Sequence, residues 1–173
     1  MPDKKQYIIT SLTLGAIAAV SAAIIGLSNL ITRDQIKRNE INKINSGIKE
    51  IFGNEVTSNE ESKIEGDYKY VQSYYLVNSG NETLGFALKT SGSNMYGKIS
   101  LIIGFEAKNH AFIGLYTVVN EQTYASTLED NYLIPVNNDE REYSDVSCGA
   151  TYGAKLVRDM VDEAASAVKE IGK

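Results

Sequence analysis

Mostly apolar residues fill the first part of the chain in one long stretch without charge. From Ile8 to Ile31 there is no charged residue, and a helix of that length measures about 36 Å at about 1.5 Å per residue. This is enough to cross a hydrocarbon core of about 30 Å with some tilt. The pattern predicts a single-pass transmembrane anchor, which together with the short tail before it forms a first region of residues 1–32.

Two other interpretations of the apolar stretch stay open. Lys4 and Lys5 form a basic start, and Val20-Ser21-Ala22 resembles the small-residue cleavage site of a signal peptide. A fully buried helix of a soluble protein would also be apolar all round. The stretch runs past the usual length of a signal core, so a retained anchor is favoured.

Charges on the two sides of the stretch say little about its orientation. Basic residues follow it at Arg33, Lys37, Arg38 and Lys43, outnumbering Lys4 and Lys5 before it. Because basic residues tend to stay cytoplasmic, the charge rule alone slightly favours a cytoplasmic domain. A long domain can be translocated regardless of nearby charge, so both orientations remain open at this point.

The pattern changes to helical periodicity in a second region, residues 33–66. Apolar side chains recur there at steps of mostly three to five residues, which predicts an amphipathic helix ending at Gly53. The helix either continues the anchor as a stalk or folds back on the domain. The polar, acidic stretch from Asn54 to Gly66 is typical of a loop or linker. The apolar positions are Ile36, Ile41, Ile44, Ile48, Ile51 and Phe52.

Short runs rich in Tyr, Val, Ile, Leu and Phe, separated by turn residues, characterise the third region, residues 67–173. The short turns favour an antiparallel sheet, followed by an irregular stretch around Pro135 and an amphipathic helix from Gly153 to Ile171. The predicted fold class is therefore α+β. At least four strands are predicted: Tyr68 to Val77, Thr83 to Thr90, Lys98 to Phe105 and Ala111 to Val119.

Composition removes several classes of function. The net charge is -5, which gives no basic surface for a phosphate backbone, so nucleic acid is not an expected partner. The single cysteine, Cys148, excludes an intrachain disulfide and any two-cysteine metal motif. The single histidine, His110, lies beside Lys108-Asn109 and is given no functional role.

The residues Cys148-Gly149-Ala150-Thr151 lie directly before the predicted final helix. Gly149 and Ala150 are small enough for a phosphate or another backbone to approach closely. Exposed amides and the positive end of the helix dipole make a helix start a favourable place for an anion. Thr151 offers a hydroxyl at this point. The alternative is that Thr151 only caps the helix and the small residues only permit a tight turn.

This segment resembles the Ser/Thr-Gly-Ala-Thr motif of the FMN-binding domain family, which includes the G subunit of the Rnf ferredoxin:NAD oxidoreductase and the C subunit of the sodium-pumping NADH:quinone reductase. The resemblance implies FMN bonded covalently through its phosphate to Thr151, which a flavin transferase installs. Asp145 matches the upstream Asp of the transferase recognition pattern. Cys148 replaces the family's Ser or Thr, and Tyr152 replaces a small hydroxyl residue.

Two further segments extend the resemblance. Ser93 to Ile99 falls where the family has a Gly-Tyr-x-Gly-x-Ile turn, and Gly97 and Ile99 match it. Asn120 to Ala125 occupies the place of a His-x-Glu-Thr-Pro-Gly segment, in which Thr123 matches and Gln122 replaces Glu. An amide at this place could hydrogen-bond a flavin but could not accept a proton as a carboxylate does. The implied cofactor-binding residues are Thr151, Ala150, Gly149, Cys148, Asp145, Thr123 and Gln122.

The resemblance implies an electron-carrying subunit of a membrane-bound, ion-translocating ferredoxin:NAD oxidoreductase, rather than a complete enzyme. Its soluble domain would lie on the extracytoplasmic side, and its partners would be other membrane subunits of the complex. Two alternatives remain: a free-standing extracytoplasmic flavin electron carrier, and a flavin-free anchored domain with an assembly or binding role.

Overall fold

The computed structural model describes residues 4–172. Internal contacts divide the chain into two units, residues 1–42 and 43–173, and each is described by itself. Helix α1, Lys4–Phe52, begins in the first unit and ends in the second. The predicted anchor and the predicted stalk helix are therefore parts of one helix.

The first unit contains the apolar part of α1. Gln6–Asn29 spans 24 residues with a hydropathy of 2.2, and none of it is buried. In the described part of the chain it is the one helix whose length and composition suit a membrane crossing. The hydroxyls of Thr10 and Thr13 donate to the carbonyl oxygens of Gln6 and Ile9, at 2.8 and 2.7 Å. These bonds satisfy the two threonine hydroxyls within the helix itself, as an apolar environment requires.

The second unit contains a sheet of six strands with antiparallel pairing throughout. Along the main path the order is β1-β3-β4-β5-β6, and β2 also pairs with β3. Two short strands, β1 and β2, lie in the segment predicted as a loop. They were missed because no strong sequence pattern marks them, and they form by pairing with β3. The strands are β1 Thr57–Ser58, β2 Ser62–Lys63, β3 Val71–Ser79, β4 Glu82–Asn94, β5 Gly97–Glu106 and β6 Phe112–Asn120.

The end of α1 packs on one face of the sheet. Ile44 and Ile48 are almost fully buried in a cluster with Val77, Ile102 and Val118. The Lys43 ammonium donates to the Val118 carbonyl at 3.0 Å. The helix ends at Phe52, and Gly53 has a φ of 102°, a conformation that favours glycine and commonly closes a helix. The amphipathic pattern of this segment therefore marks a packing face.

The other face of the sheet is covered by helix α4, Thr151–Ile171. Its apolar stripe, including Met160, Val161 and Ala164, is fully buried against Leu88 and Leu101 in the larger of two hydrophobic clusters. An antiparallel sheet with an apolar helix before it and a second helix after it confirms the α+β prediction.

The stretch around Pro135, residues 120–143, was predicted to be irregular, and this was wrong for residues 125–137. They contain three consecutive short helical segments: α2 Ala125–Leu128, a π-helical turn Glu129–Leu133, and α3 Ile134–Asn137. Pro135 lies at the start of α3, where its missing N–H removes no helical hydrogen bond. Leu128, Leu133 and Val136 are buried at helical spacing, and this burial favours helix over loop.

Candidate functional site

The start of α4 leaves backbone donors available. Ala150 is the N-cap residue, with φ −108° and ψ 44°, and no described side chain caps the helix. The Ala154 amide donates to the Ala150 carbonyl at 3.1 Å. The amides of Thr151, Tyr152 and Gly153 come before that bond and have no partner within the helix. Thr151 is the first helical residue and does not cap the helix.

A pocket of about 260 Å³ lies beside this helix start. Gly149 adopts a φ of 82° at its edge, and a Cβ on Gly149 would lie 3.4 Å from Thr127 Cγ2. The pocket is lined by Tyr96, Gln122, Tyr124, Leu128, Gly149, Ala150, Thr151, Tyr152 and Gly153. The structure therefore brings the predicted residues Gly149, Ala150, Thr151 and Gln122 together around one cavity.

Three tyrosines form the aromatic part of the lining. The Tyr96 ring centroid lies 5.4 Å from that of Tyr152 and 6.0 Å from that of Tyr124. Tyr124 is 55% exposed and Tyr152 is 60% exposed. Large aromatic side chains this open to solvent offer faces on which a planar ligand can stack.

The turn between β4 and β5 carries Tyr96 and is tied to the other parts of the site. The Asn94 side-chain Nδ2 donates to the Tyr152 carbonyl at 3.1 Å. Gln122 is only 6% exposed, and its Nε2 donates to the Gly97 carbonyl. Its Oε1 lies next to Gly153, since a Cβ on that glycine would be 3.4 Å away. Gln122 therefore joins the turn to the first turn of α4.

Three other predicted residues lie outside the pocket lining. The Thr123 hydroxyl donates to the Tyr96 carbonyl at 3.1 Å, so it fixes the turn. Cys148 is buried in the core under α4. The Asp145 carboxylate accepts the Ser147 amide at 3.1 Å and lies 3.2 Å from Arg141 Nη1. These side chains shape the segments that approach the pocket.

The pocket lining contains no acidic or basic side chain among the described residues. Next to the lining, the Lys155 Nζ lies 5.9 Å from the centroid of the Tyr152 ring. Behind the pocket, burial is the main cause that raises the pKa of the Tyr132 hydroxyl, which donates to the Tyr143 carbonyl. The helix start and its amides are therefore the main attraction for an anion.

Sequence reasoning did not single out Tyr96, Leu128 or Gly153 as site residues. Tyr96 comes from a turn far from Thr151 along the chain, and the resemblance pointed to its glycine neighbour. Gly153 allows close approach: a Cβ there would lie 2.9 Å from Leu128 Cδ2. The abundance of tyrosine was the available signal, since Tyr and Phe are the only large aromatic residues in the chain.

Residues 1–51 match the family model described as the RnfG N-terminal region. The chain resembles the RnfG subunit. The match covers 51 of 173 residues and ends before the sheet, so it supports an Rnf-like electron-transfer subunit in a multi-subunit membrane assembly and does not include the pocket. No curated protein matches the chain. The apolar helix is consistent with the membrane anchoring of an RnfG-like subunit.

The lining of the pocket is chemically suited to a ligand that has a phosphate and a planar ring, as FMN does. Thr151 presents a hydroxyl at the first helical position, and Gly149, Ala150 and Gly153 leave room for a bulky group beside it. The uncapped amides suit a phosphate diester, which keeps one negative charge. Tyrosine rings and the Gln122 amide provide an aromatic and polar wall.

Proposed function

We propose that this RnfG-like chain carries electrons on FMN, joined by a phosphoester to the Thr151 hydroxyl. The observation that carries the proposal is the uncapped start of α4, where Thr151 lies in a pocket lined by Tyr96, Tyr124 and Tyr152. The first amides of α4 have no partner within the helix, and the Tyr124 and Tyr152 rings remain more than half exposed. A ligand with a phosphate and a planar ring would use both.

Each part of the pocket has a separate role in this proposal. The amides of Thr151, Tyr152 and Gly153 and the helix dipole stabilise the phosphate charge. Tyr96 and Tyr152, with ring centroids 5.4 Å apart, limit where the planar ring can rest. Bound flavin itself supplies the redox chemistry, accepting one or two electrons. The chain then needs no acid or base of its own and acts by holding and orienting the cofactor.

The membrane anchor limits where electrons come from and go to. A chain held by one span stays beside other membrane proteins, and the RnfG-like N-terminal region supports partners of that kind. We place the domain on the extracytoplasmic side and the protein within an ion-translocating ferredoxin:NAD oxidoreductase. A covalent link suits that side, because lost FMN could not readily be replaced outside the cytoplasm. A flavin transferase would be needed for maturation.

The proposal is tested by mass spectrometry of the full-length chain co-expressed with a flavin transferase. We expect a mass increase equal to one esterified FMN, and flavin fluorescence of the band on a denaturing gel. Thr151→Val should abolish both, since it removes the attacking oxygen and keeps the shape. Thr151→Ser, which keeps a hydroxyl, is the matched control and should retain them. A wild-type chain without added mass would favour a flavin-free anchored domain.

A further inference from the structure

Two side chains hold the loop that leads into α4, Arg141 from within the loop and Asn131 from the π-helical turn. Arg141 Nη1 donates to the carbonyl oxygens of Asp145 and Ser147, at 3.2 and 3.0 Å. It also pairs with the Asp145 carboxylate at 3.2 Å. Asn131, in the π-helical turn, donates through Nδ2 to the Cys148 carbonyl at 3.3 Å. Neither Arg141 nor Asn131 lines the pocket.

These contacts fix the direction of the amides that follow. In a planar trans peptide, the carbonyl of one residue and the N–H of the next point in opposite directions. The Cys148 carbonyl faces Asn131, so the Gly149 amide points away from Asn131. In the same way, Arg141 sets the direction of the Cys148 amide. Gly149 then makes the tight bend at φ 82° that delivers Thr151 to the pocket.

We infer that Asn131 and Arg141 are positioning residues for cofactor attachment at Thr151, acting through the carbonyls of Cys148 and Ser147. The inference rests on the proposed function and adds the residues that prepare the acceptor loop. Loops without secondary structure sample many conformations, and holding one of them lowers the cost of reaching the reactive geometry. The side-chain hold on two neighbouring carbonyls provides this order.

The attachment reaction defines what must be prepared. The Thr151 Oγ–P bond forms and the pyrophosphate bond of a flavin adenine dinucleotide breaks. AMP leaves, and the hydroxyl proton is lost to the transferase or to solvent. No oxidation or reduction takes place. The chain contributes the oxygen and its orientation, so disorder in the loop should slow attachment without preventing it.

A matched pair of asparagines separates positioning from general stability. Asn131 and Asn137 are both exposed, lie in neighbouring turns and donate a side-chain amide to a carbonyl. Asn137 bonds both backbone groups of Leu115, at 2.9 and 2.8 Å, on the edge strand β6. Replacing either by Asp removes the donor and places a carboxylate against a carbonyl oxygen. Only Asn131 touches the attachment loop.

The experiment follows FMN attachment over time in the full-length chain, with purified flavin transferase, flavin adenine dinucleotide and Mg²⁺, by intact mass. We expect Asn131→Asp to slow attachment by about fivefold to tenfold, the effect of losing one hydrogen bond in the reactive state. Asn137→Asp should stay within about twofold of wild type, although it lowers the melting temperature more. Arg141→Gln should slow attachment at least as much as Asn131→Asp, and Arg141→Lys should recover part of the rate.

Melting temperatures of all variants, read by circular dichroism, keep the outcome interpretable. Equal attachment rates for wild type and Asn131→Asp would overturn the inference while leaving the proposed function intact. Equal slowing by Asn131→Asp and Asn137→Asp would also overturn it, because attachment would then follow stability. If wild type gains no mass at all, the proposed function fails first and the inference with it.

Discussion

The two ends of α4 differ in whether their polar groups are bonded to other parts of the fold. In its C-terminal half, the Glu163 carboxylate accepts the amides of Tyr70 and Val71, at 2.6 and 2.9 Å. Glu170 accepts the Tyr68 hydroxyl at 2.6 Å. At the start of the helix, no described side chain caps the backbone. One end of the helix therefore holds the fold, and the other keeps donors available.

This difference shows how one helix can serve both stability and binding. Met160, Ala164 and Val168 are fully buried against the sheet, so the helix does not depend on its first turn for its place. The cost of leaving the first amides uncapped is about 1 kcal/mol. A well-packed helix tolerates that cost. The open start then offers a ready site for an anion.

Gly97→Ala should have the largest effect, because it disturbs the β4–β5 turn beside the uncapped start of α4. Gly97 has a φ of 133°, and an added Cβ would collide with the Glu121 carbonyl oxygen. We expect a loss of about 3 kcal/mol or more in unfolding free energy, together with reduced flavin attachment. Denaturant unfolding of the full-length chain in detergent and intact mass measure the two effects.

Gly80→Ala is the matched control for that variant. Gly80 has a φ of 60° in the turn between β3 and β4, and nothing lies within 4 Å of a Cβ built there. It should cost about 1 kcal/mol and leave attachment unchanged. If both variants reduced flavin attachment equally, the β4–β5 turn would have no special role in preparing the uncapped start of α4.

Glu163→Ala should have the next largest effect, and this effect arises in the C-terminal half of α4. It leaves two partly buried amides without their charged acceptor, which costs about 2 to 3 kcal/mol. Glu163→Gln keeps an acceptor oxygen and should lose about half as much. Attachment of FMN to the folded chain should be unchanged in both variants. Impaired attachment at a temperature well below melting would show that the two ends are coupled.

Alkaline pH should weaken the region behind the pocket through Tyr132. Burial raises the pKa of Tyr132 above its ordinary value of 10.0. Its contribution to stability is therefore complete below about pH 10 and is lost as the pH rises toward the folded pKa. The stability should fall by up to about 1.4 kcal/mol per pH unit there, from this residue alone. Denaturant unfolding at pH 9 and pH 11 measures the fall.

Tyr132→Phe isolates that contribution, since the pKa values of Tyr68 and Tyr143 are raised as well. The variant loses the bond to the Tyr143 carbonyl at every pH, and its stability should fall less steeply above pH 10. A slope equal to that of wild type would assign the alkaline weakening to other groups.

Periodicity and turn residues were enough to predict the four long strands and both long helices, but not the two-residue strands β1 and β2. The strands from Val71 to Asn120 have strong apolar runs and clear turns, so local sequence and tertiary structure agree. The helical turns around Pro135 were missed because proline and asparagine suggested a break. Leu128, Leu133 and Val136 are buried in a cluster with distant residues of the sheet and of α4, and this burial favours the helical turns.

The site shows the same limit. Gly149, Ala150 and Thr151 are contiguous, and a local motif was enough to single them out. Tyr96 reaches the pocket from a separate segment, and Asn131 bonds the loop before α4 from another. No local pattern distinguishes them from the other tyrosines and asparagines. Asp145 and Thr123 carry motif resemblance, yet their side chains bond to the backbone of nearby segments. Folding, and not spacing along the chain, decides which polar side chains line a pocket.

Glu129→Gln should have the smallest effect, and it tests whether the site end carries other costs besides its uncapped amides. Glu129 follows the pocket residue Leu128, and its carboxylate is partly buried near Thr117, with an oxygen 3.5 Å from that hydroxyl. Burial, the largest cause, raises the pKa of Glu129, and the charges of Asp130 and Glu50 add to the effect. The folded state therefore favours the protonated form, an advantage that is complete below about pH 4.5 and is lost as the pH rises. At pH 7 the ionised carboxylate is a net cost, reduced by solvent screening, and the amide should stabilise the chain by about 0.5 kcal/mol.

The gain in stability from Glu129→Gln should vanish at pH 4, and the exposed control Glu140→Gln should show none at either pH. A gain that persisted at pH 4 would mean that the carboxylate charge is not its source, and the site end would then carry no electrostatic cost at this residue.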